Sequence, residues 1–538
     1  MQQHVQGLDY FIIALYFICV FVIAWWATER EKSSRGTSAG YFLAGRNAGW
    51  FVIGASLFAS NIGSEHLVGL AGTGAASGVA VAQFEILASL ILLILGWVFV
   101  PFYLKSQVFT MPEFLERRYS PGARVYLSWI SIIGYVLTKI SVTIAAGGIV
   151  FETLLGIDFW TGAIIVVLIT GLYTMLGGLR AVLYTDLMQM FVLIGGAVTV
   201  TVSGLIAVGG WGAMYEIAGS SFFNVWQPMS DPNFPWTGIL FGAPILGVWY
   251  WCTDQFIVQR VLSAKGEKDA RMGTIFGGYL KILPLFIFVI PGVIAYCLSQ
   301  SGKLQLAQPD QALPALVGAL LPIGFRGLVV AGLLAALMSS LSSVFNSCST
   351  LITFDIYKKM HPGASERQLV LVGRIATGVL VVFGLMWIPF IKTISGQLYQ
   401  YLQSVQAYIS PPIAAVFLLG IFFRRLNARG AMASLLTGFV FGIGRLVAEI
   451  NKDRLGGFLY EYADINFLHF AFFLFVVCSA VLIIVSLTAP PPSEDKLKNL
   501  TYSTTGRSKF GLLWQRWDVR LSILLVALVG LVWIYFSG

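Results

Sequence analysis

Charge is scarce in this chain: only 11% of its 538 residues are Asp, Glu, Lys or Arg, less than half the usual share of about 25% in a soluble domain. That composition excludes an ordinary water-exposed surface. Cysteine is also rare, and Cys19, Cys252, Cys297, Cys348 and Cys478 show neither metal spacing nor the density of a disulfide scaffold. With only four histidines in all, no His/Cys metal centre is expected, and the cysteines should be free thiols. Long polar segments are missing too. The long non-membrane segments are 209–234, 300–322 and the proline-started 489–519, which leaves no room for a separate soluble domain. No nucleophile–base pair stands out either, so an enzyme is not expected.

What the chain has instead is hydrophobic residues, 57% of the total, with a mean hydropathy of +0.81. Apolar runs of about 20 residues, enough to cross a ~30 Å hydrocarbon core as a helix, recur roughly fourteen times. The expected spans are 9–27, 49–72, 78–103, 125–155, 159–178, 183–208, 235–259, 273–299, 325–353, 370–392, 397–422, 430–450, 465–488 and 520–537. The expected fold class is therefore an all-α integral membrane protein of about fourteen transmembrane helices, a single transmembrane domain over residues 1–538 with the lipid bilayer as its partner. The first run lacks a charged leader and a small-residue cleavage site, and is expected to be a retained helix.

Most of the 34 basic residues sit in every second connection. They are Arg30, Lys32, Arg35 and Arg46; Lys105, Arg117, Arg118 and Arg124; Arg180; Arg260, Lys265, Lys268 and Arg271; Lys358, Lys359, Arg367 and Arg374; Arg424, Arg425 and Arg429; and Lys496, Lys498, Arg507, Lys509, Arg516 and Arg520. Cytoplasmic loops retain positive charge, so both termini are expected to face outward from a plasma (inner) membrane. The net charge of +9 then follows from topology and calls for no nucleic-acid partner. No obligate protein partner is evident.

Against this background Glu65, Glu85, Lys139, Asp186, Asp254 and Lys281 stand out, each inside a different expected span. An ionisable group in a membrane must face a partner or a cavity. One alone is as readily a structural ion pair, but six on six spans suggest a polar chamber. Two spans also carry interruptions. FASNIGSEH places Gly63 among Ser60, Asn61 and Ser64, which compete locally for backbone hydrogen bonds. FGAPILGVWYWCTDQ near 241–255 offers Gly242, Pro244 and Gly247, five spans later. Broken helices at matching places in two halves point to an inverted-repeat secondary transporter, whereas a simple proline kink is the plainer reading of the second. In ALMSSLSSVFNS, Ser339, Ser340, Ser342 and Ser343 recur at three- and four-residue spacing on one helix face. Such hydroxyls, with freed carbonyls and an acid such as Asp186, suit a hard monovalent cation.

YFLAGR (41–46), GASLFASNIGSEHLVGLAGTGAASG (54–78), LYTMLGGLRAVLYTD (172–186), WYWCTDQFIVQRVLSAK (249–265) and LMSSLSSVFNS (337–347) together resemble the sodium/solute symporter family, and within it the sodium/glucose and sodium/galactose cotransporters. The similarity extends over essentially the whole chain. The resemblance implies a leucine-transporter-like core of two inverted five-helix repeats, 49–208 and 235–424. A helix and loop at 9–48 precede them, and accessory helices at 428–538 follow. It implies one sodium site on the backbone oxygens of Ala59, Ile62 and Ala336 and the hydroxyls of Ser339 and Ser340. A second would fall on Asp186, Ser339, Ser342 and Ser343. It further implies a sugar site of Asn61, His66, Glu85, Lys281 and Gln403, with Tyr250 as inner gate, Trp251 beside it, and Leu70, Phe84 and Tyr399 as outer gate.

The chemistry suits a hexose, whose hydroxyls both donate and accept. His66, Ala88, Lys139 and Gly247 depart from the bacterial galactose-transporting members, where glutamine, serine, asparagine and asparagine stand; His66 and Lys139 follow the animal glucose carriers. The expected function is a sodium-coupled symporter importing a hexose by alternating access, glucose ahead of galactose, with sodium ion as the coupling ion and two ions per sugar. Another polyol such as myo-inositol is the alternative, and a sugar sensor or channel the remote one. The plainer alternative for His66 is a neutral imidazole bonded to a neighbouring helix. Asp254 is expected to pair with a cytoplasmic-side arginine, and Glu65 to make a structural bond that holds the first broken helix open.

Overall fold

In hydrocarbon every backbone N–H and C=O must be bonded internally, so apolar runs of this length become helices. The computed structural model describes residues 5–29, 38–391, 398–504 and 516–537. Among the described residues it contains no strand, only isolated bridges between Ala48 and Ala264 and between Gln227 and Pro235. The basic residues Arg30, Lys32, Arg35, Arg507 and Lys509, and the span edges at 392 and 397, lie outside the described residues. All five cysteines are free.

Eleven of the described helices are long and apolar enough to cross a membrane. Three expected crossings are not single long helices, which is where the count departs from fourteen. The run 49–72 stops after Trp50–Asn61 and resumes as Ser64–Leu67 and Gly69–Ser77. The runs 159–178 and 183–208 join in one 50-residue helix, Phe159–Val208. Within it Leu179–Val208 is long and apolar enough for a crossing, and Phe159–Leu172 is a shorter apolar stretch. The run 235–259 is divided into Trp236–Phe241, Ala243–Gly247 and Gln255–Leu262.

The second interruption falls within the expected stretch 241–255, but at its Asp254 and not at its glycines or proline. Gly242 keeps helical angles (φ −88°, ψ −49°), and Pro244 sits in the first turn of its helix, where its missing N–H costs no hydrogen bond. Helical winding continues through a widened π-type turn at Val248–Thr253 and fails only at Asp254 (φ −79°, ψ 130°). The break is set by a capping carboxylate, because Asp254 accepts a hydrogen bond from Phe256 N at 3.2 Å and so starts the next helix.

The serine-bearing helix Phe325–Leu351 is buried along nearly its whole length and packs against Phe159–Val208. Its N-terminus is held by the first helix, since Asp9 Oδ1 accepts from Gly324 N at 2.7 Å and Gly327 N at 2.8 Å. Trp50–Asn61 crosses Glu267–Leu280 at glycines, and a Cβ on Gly54 would lie 2.8 Å from Gly273 O. This close approach of small residues is how membrane helices gain packing energy without a hydrophobic driving force.

Candidate functional site

Breaking the first helix releases backbone oxygen. In an unbroken helix Gly63 N would donate to Ala59 O and His66 N to Ile62 O. Here Gly63 N donates to Asn61 O (2.9 Å) and His66 N to Gly63 O (3.0 Å), so the Ala59 and Ile62 carbonyls lose their helical donors. A Cβ at position 63 would meet the Glu65 carboxyl and the Ser340 hydroxyl, so a larger residue would have to displace both. Ser340 Oγ in turn donates to Ser60 O at 3.1 Å, tying the break to the serine helix. The oxygens of the first expected ion set, from Ala59, Ile62, Ala336, Ser339 and Ser340, are thus carried by these two elements, and their neutral oxygen chemistry fits a monovalent cation.

On the other side of the break is a cavity of about 510 Å³ of atom-free space, counting its mouth. Asn61, His66, Phe84, Glu85, Lys139, Tyr250, Trp251, Tyr399, Gln403 and Gln406 line it, with apolar side chains between them. Its polar groups form two bonded clusters that meet at His66 and Tyr250. Lys281 Nζ donates to both Asn61 Oδ1 and Glu85 Oε2; Asn61 Nδ2 donates to Tyr250 OH at 2.9 Å. His66 stands between two carboxylates, with Nε2 3.4 Å from Glu85 Oε1, while Nδ1, which makes no hydrogen bond, lies 3.8 Å from Glu65 Oε1. Glu65 accepts from Lys139 Nζ and Thr143 Oγ1, each at 3.1 Å. Lys139 Nζ lies 4.9 Å from the Tyr250 ring centroid, over the aromatic face.

Two carboxylates and two ammonium groups cancel, so the buried cluster is neutral when His66 is unprotonated. Pairing of this kind is what makes burial of four charges tolerable. Aromatic rings cover the chamber: Phe84 and His66 contact Tyr399 edge-on at 6.0 and 5.8 Å between centroids, and Tyr250 meets Trp251 at 5.1 Å. Two expected members do not line the cavity. Lys281 stands one layer back behind Asn61 and Glu85, and Leu70 is fully buried elsewhere. Glu65 makes the structural bond expected of it, whereas Asp254 does not pair with an arginine. Its carboxylate accepts from Tyr135 OH and Phe256 N, which satisfy it without a cation.

The second expected ion set is only partly assembled around a common point. Asp186 accepts from Ser339 Oγ and from Ser56 Oγ (2.6 Å). Ser342 Oγ turns back to Ser339 O at 3.0 Å, and Ser343 Oγ accepts from Arg260 Nη2. Sequence reasoning placed Arg260 among loop charges and missed Ser56, Thr143 and Gln406. The available signal was the apolar run FIVQRVL, which surrounds Arg260 with side chains that belong in a core.

A broken-helix membrane protein with a buried polar chamber beside an oxygen-rich helix face has the build of a secondary transporter. The chain belongs to the sodium:solute symporter family, whose profile matches residues 41–438. It is 41% identical to sodium/glucose cotransporter 1 of Oryctolagus cuniculus over 541 residues, 92% of this chain and 81% of that one. It is 40% identical to the sodium/myo-inositol cotransporter of Homo sapiens over 553 residues, 93% and 76% of the two chains. Among solved structures it resembles a Na+-coupled sialic acid symporter in a substrate-bound outward-open state, with a TM-score of 0.77 at 23% identity over 91% of this chain and 99% of that one. A nucleobase-cation-symport-1 family transporter matches with a TM-score of 0.54 at 16% identity, covering 85% and 97%. The fold is leucine-transporter-like, and the protein is a multi-pass, sodium-coupled solute symporter rather than an enzyme.

Proposed function

We propose that the protein imports a hexose, glucose first, with two sodium ions per sugar by alternating access across a plasma membrane. The observation that carries this reading is the set of charge-balanced, hydrogen-bonded polar groups around the aromatic-walled cavity. It offers Glu85 as acceptor and the Asn61 and Gln403 amides as both donors and acceptors to a ring of hydroxyls. Lys281 acts from behind by fixing Asn61 and Glu85, and His66 lies beside Glu85. A carboxylate substrate would meet Glu85 unfavourably. Tyr250 and Trp251 close the inner side, while Phe84, Tyr399 and the more remote Leu70 close the outer.

Sodium bound by Ala59, Ile62, Ala336, Ser339 and Ser340 holds the first broken helix against the serine helix and completes the sugar chamber. A second ion uses Asp186, Ser339, Ser342 and Ser343. The two halves, 49–208 and 235–424, move as inverted repeats, flanked by 9–48 and by 428–538, with both termini outside. Because the sugar is neutral, each ion carries an uncompensated charge, and the membrane potential supplies about 2.3 kcal/mol per charge per 100 mV. The purified chain alone suffices.

The test is uptake of labelled glucose into proteoliposomes holding only this protein, with a sodium gradient imposed. Accumulation that persists when potassium replaces sodium overturns the proposal. Myo-inositol is the second reading, favoured by the 40% identity to its cotransporter; stronger competition by myo-inositol than by glucose would select it.

A further inference from the structure

Arg260 is 1% exposed and sits on the helix Gln255–Leu262, directly after the break at Asp254. Its Nε donates to Ser56 Oγ at 3.0 Å, Nη1 to Phe256 O, and Nη2 to Ser343 Oγ. Nη2 also lies 3.9 Å from Asp186 Oδ2. A fixed positive charge thus occupies the acid and one of the hydroxyls that a second sodium ion would use. Two cations beside one carboxylate repel strongly where the dielectric is low, and Asp186 can compensate only one of them.

We infer that Arg260 is a tethered counter-cation that takes the place of the second sodium at Asp186 and Ser343, so that ion binding there and seating of the helix Gln255–Leu262 exclude one another. The inference rests on the two-ion reading of the preceding subsection. It gives the ion a direct mechanical connection to the inner half of the second broken helix, ten residues on from the Tyr250 gate. When the ion enters, Arg260 gives up Asp186 and Ser343, keeps only Ser56 outside its own helix, and this half-helix loosens. When the ion leaves, Arg260 pairs with Asp186 again. The unloaded site is then neutral and can reorient without moving an uncompensated carboxylate through the membrane field.

Hydrogen–deuterium exchange on the wild-type protein tests the exclusion without any substitution at Arg260. Sodium, compared with potassium, is expected to speed exchange in peptides covering 255–262, and Asp186→Asn is expected to abolish that response. Slower or unchanged exchange with sodium overturns the inference. A second arm uses Arg260→Gln. Net uptake, which needs the empty carrier to return, should fall at least about tenfold, as expected for an uncompensated charge in a membrane. Exchange of sodium and sugar across the membrane, which does not need that return, should persist, and Arg260→Lys should restore part of the net uptake. Equal loss of both activities, or loss of neither, overturns it. The charge moved per sugar by the wild type keeps the two readings apart. A ratio of one removes the second ion itself, whereas a ratio of two with unaltered Arg260→Gln kinetics removes only the counter-cation.

Discussion

Lys139 and Glu65 form a fully buried ion pair, with Nζ 3.1 Å from Oε1, between the π-type turn Val136–Ile140 and the residues just beyond the first helix break. The pair fixes where the chain restarts after Gly63. Removing one partner leaves the other charge buried and uncompensated, which typically costs about 3–5 kcal/mol. Glu65→Gln should therefore lower the thermal unfolding temperature in detergent sharply. Glu65→Gln combined with Lys139→Gln should recover much of the loss, and a purely additive double variant would refute the pairing.

Glu85 and Lys281 should be coupled in sugar recognition in a different way, because only Glu85 reaches the cavity. Lys281→Met frees Glu85 and Asn61 from their shared donor, so both lose their orientation. Apparent sugar affinity, read as the uptake KM at saturating sodium, should weaken at least about tenfold, equivalent to roughly 1.4 kcal/mol. Glu85→Gln should weaken it too, and the double variant should cost less than the sum of the two single ones. A KM unchanged in Lys281→Met would place the lysine outside recognition.

Asp186→Ala separates one ion from two. It removes the carboxylate of the second set and leaves Ala59, Ile62, Ala336, Ser339 and Ser340 in place. The Hill coefficient for sodium, bounded by the number of coupled sites, should fall from about two to about one. An unchanged coefficient in transport currents would mean that Asp186 holds no coupled ion.

Glu116, on the helix Met111–Arg118 outside the spans, links Lys359 (2.7 Å) to Arg124 (2.5 Å). Burial raises its carboxyl pKa, but these two cations outweigh burial and hold it below the ordinary carboxylate value. A depressed folded pKa contributes stability above the unfolded value, about 4.3, and that stability is lost as pH falls through the folded value. Glu116→Gln should therefore flatten the acid side of the unfolding-temperature profile while leaving its slope near neutrality unchanged. Identical acid slopes in the two proteins would count against the link.

The sequence by itself determined the membrane environment, the helical class and the position of the first break. Hydrocarbon admits few alternatives, and glycine with flanking polar residues is a local signal. It also singled out Glu65, Glu85, Lys139 and Lys281 as misplaced charges, because their cost is set by the medium and does not depend on who their partners are. Partnership was decided only in three dimensions. Lys281 proved to stand behind Glu85 and Asn61, from which it is separated by 196 and 220 residues. Asp254 proved to belong to Tyr135, and Arg260, which read as a loop charge, proved to lie against Asp186. The second break moved from its glycines to Asp254 for the same reason. Glycine and proline only permit a helix to end, whereas a capping carboxylate held by a residue from another helix determines where it does.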